Sequence, residues 1–194
     1  MSNSDGEEDD PKRGAVLAAA VGVFGRYGFQ KTSMEAVAKA AGISRPGLYL
    51  LFPNKEQLYR ATMQGVMERG QLAMEACFAD ETLSVEKRMV AALDALLGQY
   101  VGTQVARDVS ELLENSGPQL GSMFHDYQEK ARATISAQLH SLAPPGVLTR
   151  ELGADDVTDV LFSAALTWKQ TAATRAEFRD RVRGAVRLIF RVTS

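Results

Sequence analysis

Apolar residues recur along most of this chain at helical spacing, three to four positions apart, and no segment shows the alternation typical of strands. The first such segment begins at Pro11 and reaches a glycine suited to a left-handed helix end at Gly28. Two short helices follow before Pro53. Six longer helices are predicted at about 55–78, 84–101, 105–116, 120–142, 155–172 and 175–192.

The two short helices have recognisable start and stop signals. Thr32 and Glu35 have the spacing of a capping box, with Thr32 as the cap, and Gly42 ends the helix that follows. Ser44 is a suitable cap for the next helix, which tolerates Pro46 in its first turn. The pattern therefore predicts an all-α fold of about nine helices, in which three small N-terminal helices precede a larger bundle.

Tight packing of two short helices requires small residues and a flexible turn. Ala38 allows a close crossing, and Gly42 can adopt the positive φ of the turn. Such a helix-turn-helix leaves the outer face of its second helix free to enter a DNA major groove. Here that face carries Ser44, Arg45, Pro46, Tyr49 and Leu50. The alternative is a helical hairpin inside a bundle, which does not explain the outward Arg45 and Tyr49.

The charge distribution favours the DNA-binding interpretation. Residues 1–11 hold five acidic side chains and no basic one, whereas residues 12–60 hold eight basic and two acidic side chains, within a net charge of −2. A basic block joined to a mildly acidic remainder is typical of a phosphate-binding module on a partner domain. We therefore predict an acidic disordered tail at 1–10, a helix-turn-helix DNA-binding domain at 11–54 and a larger helical domain at 55–194.

The segment TSMEAVAKAAGISRPGLYLLFPNKEQLY, from Thr32 to Tyr59, resembles the N-terminal DNA-binding domain of the TetR family of bacterial repressors. The resemblance implies that Thr32 and Ser33 bind phosphates, that Lys55 holds another phosphate at a helix N-terminus, and that Phe52 lies in the core. This sequence differs from the family at Leu50 and Leu51, where polar or aromatic residues are common, and at Pro46, which lacks a backbone N–H.

The last two helices carry wide apolar stripes with alanines at close-approach positions. Such stripes suit packing against a second copy as well as packing within one chain, and the resemblance likewise implies a two-fold dimer on a palindromic operator. The residues expected at the dimer interface are Val157, Leu161, Ala164, Ala165, Phe178, Val182, Val186 and Ile189.

Adaptable apolar side chains are abundant between the predicted fourth and eighth helices. Methionine and aromatic groups line large ligand cavities, although they are also ordinary core residues. The resemblance favours a pocket for a small apolar or amphipathic effector. Its candidate lining is Met67, Met74, Phe78, Met89, Tyr100, Phe124, Tyr127, Phe162 and Trp168.

Other chemistries have little support in the sequence. His125 and His140 are too far apart on one helix to share a metal ion. Cys77, the single cysteine, excludes an intrachain disulfide, and as a redox sensor it is less expected than as a small buried hydrophobe. No apolar run could span a membrane, and the acidic N-terminus is unlike a secretion signal. We expect a cytoplasmic protein that contacts no membrane, binds no metal or cofactor, and is not an enzyme.

The function predicted from these observations is a ligand-responsive homodimeric repressor that binds double-stranded operator DNA. Three alternatives stay open: a transcriptional activator, a small-molecule carrier or sensor that has lost DNA binding, and an all-α enzyme that uses the C-terminal cavity. Leu50 and Leu51 are the residues that motivate the carrier, because they cannot hydrogen-bond phosphate.

Overall fold

A computed structural model describes residues 11–103, 118–143 and 145–191. The predicted tail at 1–10 and the predicted helix at 105–116 lie outside the described residues. Within them the all-α prediction is confirmed: eight α-helices and one 3₁₀ turn at Gly98–Tyr100. The helices are α1 Pro11–Lys31, α2 Met34–Ala40, α3 Arg45–Leu51, α4 Lys55–Ala79, α5 Val85–Leu96, α6 Pro118–Leu142, α7 Ala154–Thr171 and α8 Arg175–Arg191.

The chain divides into two compact units, one up to Val66 and one from Met67 onward, and the division falls inside α4. In the first unit α1 packs on α2 and α2 on α3. Phe24 and Phe29 of α1 both meet the ring of Tyr59 edge to face, at centroid distances of 4.8 and 5.1 Å. Such aromatic contacts add to the burial of apolar area and fix the angle between elements.

The second unit has one core in which α5, α7 and α8 bury their apolar faces and α6 packs on α7. Ala165 on α7 and Val182 on α8 are fully buried in this core, because the apolar stripes of both helices face the interior of the same chain. Beyond the core, the side chain of Arg132 on α6 donates to Asp159 of α7 over 2.6 Å and lies over the ring of Phe162, 4.7 Å from its centroid.

Most of the expected dimer residues lie inside this core, which corrects their interpretation, whereas the two half-buried ones stay predicted interface residues. Six of the eight are buried within the single chain, so a second copy cannot reach them, and Ala164 and Ile189 are half-buried. The stripes are wide because α7 and α8 each contact more than one neighbour in the same chain. The buried six are Val157, Leu161, Ala165, Phe178, Val182 and Val186.

A buried carboxylate joins α5 to α8. The Asp94 side chain is only 5% exposed and accepts hydrogen bonds from Nε and Nη2 of Arg175, each over 2.9 Å, and from Nη2 of Arg179. A Cβ on Gly98 would stand 2.2 Å from Oδ1 of Asp94, so only glycine leaves room for this carboxylate. Burial acts to raise the pKa of Asp94, but hydrogen bonds from Arg175 and Arg179 outweigh it and hold that pKa below its ordinary value.

We predict that Asp94→Asn lowers the free energy of unfolding by about 2–3 kcal/mol at pH 7, because charge-assisted hydrogen bonds to two guanidinium groups are lost. The folded-state pKa of Asp94 lies below the unfolded value of about 3.9, so its contribution is complete above that pH and disappears as pH falls through the folded pKa. Urea unfolding of both proteins at several pH values measures this.

The matched control is Asp180→Asn, which removes a carboxylate exposed on the surface of α8 and paired with Arg183 within the same helix. This change should cost under about 0.5 kcal/mol at pH 7. Equal losses for the two variants, or a loss for Asp94→Asn that stays constant down to pH 3, would contradict the role given to Asp94.

Candidate DNA-binding surface

The turn between α2 and α3 has the geometry expected from the sequence. Gly42 has a φ of 67°, in the left-handed region that favours glycine. The backbone N–H of Ile43 donates to the carbonyl of Ala38 over 3.0 Å, and Ala38 is buried where the two helices meet. Leu48 of α3 is fully buried on the inner side, which fixes the outer side toward solvent.

The predicted outer face of α3 is exposed at every position. Ser44 caps the helix by accepting a hydrogen bond from the N–H of Gly47 over 3.2 Å. The guanidinium of Arg45 lies 5.7 Å from the centroid of the Tyr49 ring. A hydrogen bond with Tyr49 raises the pKa of Arg45 further above its ordinary value, so this group is charged at every physiological pH. Ser44, Arg45, Pro46, Tyr49 and Leu50 thus stand together on one accessible face.

Leu50 is unusual for a leucine because 87% of its surface is exposed. It lies on the same face as Arg45 and Tyr49. A large apolar side chain held in water next to charged and polar groups suits contact with a partner surface, and thymine methyl groups offer such an apolar contact in the major groove.

The structure corrects the start of α2 by one residue. Ser33 is the N-cap, and its hydroxyl accepts a hydrogen bond from the N–H of Ala36 over 3.1 Å. Thr32 is 3% exposed, and its hydroxyl donates to the carbonyl of Gly28 over 2.7 Å. The side chain of Thr32 therefore ties α2 to the end of α1 and is not accessible to phosphate, whereas Ser33 is exposed.

Lys55 is also committed within the protein. Its ammonium group donates to the carbonyl oxygens of Phe29 and Gln30, over 2.9 and 3.4 Å, and lies 4.3 Å from the centroid of the Phe29 ring. Gly28, with a φ of 77°, ends the regular part of α1 as expected and leaves these carbonyls without helical partners. Two of the three ammonium donors are used here, so a phosphate contact by Lys55 depends on the remaining donor.

The predicted effector residues all belong to the second unit, but they do not line a single cavity there. Met74, Phe78, Met89 and Phe162 lie in its main core, with Tyr127 and Trp168 half-buried against it. Met67 and Phe124 are buried as well, and Tyr100 is half-buried. Their role in effector binding stays a prediction.

Sequence reasoning missed two polar groups near these residues. Gln71 is 3% exposed; its amide donates to Glu75 and Thr134, and its Oε1 is buried with no hydrogen-bond donor among the described residues. The hydroxyl of Tyr127 is likewise buried without a partner, and a Cβ on Gly70 would stand 2.9 Å from it. A buried glutamine inside a long helix was visible in the sequence only as one polar residue on an apolar stripe.

Two further properties concern the described residues only. Their helices include none whose length and hydropathy would let it cross a bilayer. They bring together no group of three or more histidine, cysteine, aspartate or glutamate side chains able to hold a metal ion.

Burial raises the pKa of Cys77 above its ordinary value, the opposite of the shift that makes a reactive thiolate.

The short helices α2 and α3 meet at a positive-φ glycine, and α3 buries Leu48 while it exposes its outer face, which is the arrangement of a helix-turn-helix. Residues 16–62 match the family model described as bacterial regulatory proteins, tetR family. The HTH-type transcriptional regulator RutR of Escherichia coli strain K12 is 39% identical over 57 residues, which are 29% of this chain and 27% of RutR. The chain thus matches little more than a quarter of that relative. Residues 16–62 therefore form a DNA-binding domain of the TetR type, which confirms the resemblance found in the sequence.

Solved structures extend the likeness of fold to the second unit. A structure from Mesorhizobium loti, described as a TetR-family transcriptional regulator, has a TM-score of 0.74 at 19% identity and covers 96% of this chain and 98% of its own. FadR of Bacillus subtilis, solved in complex with stearoyl-CoA, has a TM-score of 0.70 at 17% identity and covers 91% of this chain and 96% of its own. These likenesses show the fold alone.

We predict that Lys55→Ala lowers the free energy of unfolding by about 1–2 kcal/mol, because two carbonyls and an aromatic ring lose their cation. Lys39→Ala is the matched control, since Lys39 is an exposed lysine of the same unit; it should change stability by under about 0.5 kcal/mol. Urea unfolding measures both. Equal stability of the two variants would show that the contacts of Lys55 contribute nothing to folding.

Proposed function

We propose that this chain is a homodimeric, ligand-responsive repressor that binds a palindromic operator through the exposed face of α3. The observation that carries the proposal is the accessible set of Arg45, Tyr49 and Leu50 on a helix whose inner side is fixed by buried Leu48. An arginine on such a face pairs with the O6 and N7 acceptors of guanine, and a leucine contacts thymine methyl groups.

Phosphate contacts would come from residues around this face. Ser33 is exposed at the start of α2, and Lys39 is exposed at its end. The excess of basic over acidic residues between 12 and 60 supplies the attraction to DNA that does not depend on base sequence. These contacts would orient α3, and the base contacts would select the operator.

A dimer is supported by the solvent side of the last two helices. Val160 of α7 and Leu188 of α8 are 66% and 69% exposed, although α7 and α8 pack against each other. On α8 the open position of Gly184 would let a second helix approach closely. A dimer provides two α3 helices, and the half-sites that such a pair reads lie about 34–36 Å apart on one face of DNA.

An effector site in the second unit is supported by its unpaired polar atoms. Oε1 of Gln71 and the hydroxyl of Tyr127 are buried without a hydrogen-bond partner among the described residues, and an unsatisfied buried polar atom costs about 1–3 kcal/mol. An amphipathic effector would satisfy them with its polar group and fill apolar space with the remainder. FadR of Bacillus subtilis, which has a similar fold, was solved with one such amphipathic molecule.

The effector would act by preferring the conformation that does not bind DNA, because equal affinity for both conformations shifts nothing. The connection between the units is α4, one helix from Lys55 to Ala79. Its first turn clamps the end of α1 through Lys55, so a displacement of α4 would disturb the DNA-binding unit directly. A coupling of about 2–3 kcal/mol would weaken DNA binding by tens to over a hundredfold.

The test is selection of sites by the wild-type protein from a library of random DNA duplexes, followed by binding measurements with variants. We expect an inverted repeat to be enriched, and Arg45→Ala to lose about 1–3 kcal/mol of affinity for it. Arg150→Ala, an exposed arginine of the second unit, is the matched control and should change affinity by less than about twofold.

Each other outcome identifies a specific error. Enrichment of single half-sites would contradict the dimer, and no enrichment above competitor DNA would favour a carrier or sensor that has lost DNA binding. A promoter carrying the selected site upstream of a reporter gene distinguishes the sign of regulation. Expression that falls when the protein is present supports a repressor, and expression that rises indicates an activator.

We further predict that Tyr127→Phe leaves the free energy of unfolding unchanged or raises it by up to about 1 kcal/mol, because it removes a buried hydroxyl that has no hydrogen-bond partner among the described residues. Tyr100→Phe is the matched control. Its hydroxyl is 3.1 Å from Nε2 of Gln99, so its removal should cost about 0.5–1 kcal/mol. A larger loss for Tyr127→Phe than for Tyr100→Phe would mean that the Tyr127 hydroxyl is already paired and not available to an effector.

A further inference from the structure

A groove of about 630 Å³ lies between α5 and α8 in the second unit, with Cys77 of α4 on its wall. Its volume is within the range of small-molecule sites, about 300–1,000 Å³. None of the predicted effector residues lines it. One wall is formed by four arginines that recur at every fourth position of α8: Arg175, Arg179, Arg183 and Arg187.

The lining of the groove is strongly cationic. Lys87 of α5 adds a fifth positive charge to those of the four arginines, whereas Glu86 and Asp94 are the carboxylates of the lining. The lining therefore carries a net charge of +3 in a protein whose net charge is −2. Asp180 pairs with Arg183 from outside the lining, which still leaves an excess of positive charge.

The guanidinium groups are held in place before any ligand arrives. Asp94 binds Arg175 through two hydrogen bonds and also accepts one from Arg179, while Glu86 accepts one from Arg187 over 2.9 Å. A guanidinium has five N–H donors, so these contacts leave donors for a ligand. Side chains that are already ordered lose less conformational entropy when they bind an anion.

The α5 wall supplies an apolar surface between the charges. Val90, Ala91 and Ala95 lie along it, and the Cys77 side chain is half-buried beside them. A ligand that fits both walls needs an anionic group for the arginines and an apolar segment for α5. The surplus of positive charge favours a multiply charged anion, and a phosphate monoester carries close to two negative charges at neutral pH.

We propose that this groove binds a small phosphate-bearing molecule with an apolar segment, its phosphate on Arg183 and Lys87 and its apolar part on Val90, Ala91 and Ala95. The size of the groove suits such a molecule rather than a nucleic-acid strand. The site does not depend on the proposed function, because its occupancy is measured on the protein without DNA.

Calorimetric titration with n-octyl phosphate tests the proposal on the full chain. We expect saturable binding that weakens as salt rises from about 50 to about 300 mM, because the contacts are ionic and partly exposed. Octanoate carries one charge and should bind several-fold more weakly, and the neutral octyl glucoside should not compete. Octanoate that binds as tightly as octyl phosphate would overturn the assignment to phosphate.

The informative variant is the double change Lys87→Gln with Arg183→Gln, which removes two charges of the lining but leaves Asp94 with both of its arginines. We expect about tenfold weaker binding of octyl phosphate, with an unchanged melting temperature. Arg150→Gln, outside the groove, is the matched control and should bind as the wild type does. Equal affinities of the double variant and the control would refute the site.

Cys77 gives an independent measure of position because it is the single cysteine of the chain and lines the groove. Alkylation of Cys77 by the neutral reagent N-ethylmaleimide can be followed by mass spectrometry. Octyl phosphate should slow this alkylation several-fold in the wild type and much less in the double variant at the same concentration. Octyl phosphate that binds but leaves the alkylation rate unchanged would place the ligand elsewhere and contradict the proposal.

Discussion

The clamp of Lys55 on the end of α1 is the interaction on which the DNA-binding unit depends. Gly28 interrupts α1, and the ammonium group of Lys55 donates hydrogen bonds to the carbonyls of Phe29 and Gln30 that follow it. One turn later, Tyr59 packs its ring against Phe29. The segment that contains α2 and α3 is therefore held at both ends by contacts between the end of α1 and the start of α4. The orientation of α3 relative to α2 follows from buried Leu48 and the turn at Gly42.

Local signals in the sequence were sufficient for most helix ends and for the exposed face of α3. The cap at Ser44 and the turn at Gly42 each depend on residues within four positions, so propensity and spacing predict them. The start of α2 was wrong by one residue because Thr32 and Ser33 can both act as caps. The choice depends on the carbonyl of Gly28, which binds the Thr32 hydroxyl and excludes it from the cap.

Longer-range partners were beyond the reach of the pattern. A wide apolar stripe shows that a helix is covered on that side but not by which molecule, and on α7 and α8 the cover is the same chain. The contacts of Lys55 within the chain were not predicted for a similar reason: a lysine at a helix N-terminus suits phosphate, yet the two carbonyl oxygens that it binds lie 25 and 26 residues earlier. Neither fact follows from residues that are neighbours in sequence.

The arginines of α8 are a second case in which the sequence shows the spacing of the residues but not the groups that they contact. Their recurrence at every fourth position is visible in the sequence, but a row of arginines on a helix usually indicates a solvent-exposed surface. Only the fold shows that Asp94, 81 residues before Arg175, is buried beneath them, and that Gly98 lacks the side chain that would displace it. Removing a carboxylate from water costs free energy, and a buried ion pair can often be replaced by apolar residues without loss of stability. Asp94 also orders two guanidinium groups toward a groove with surplus positive charge, which gives the buried charge a use that apolar residues could not supply.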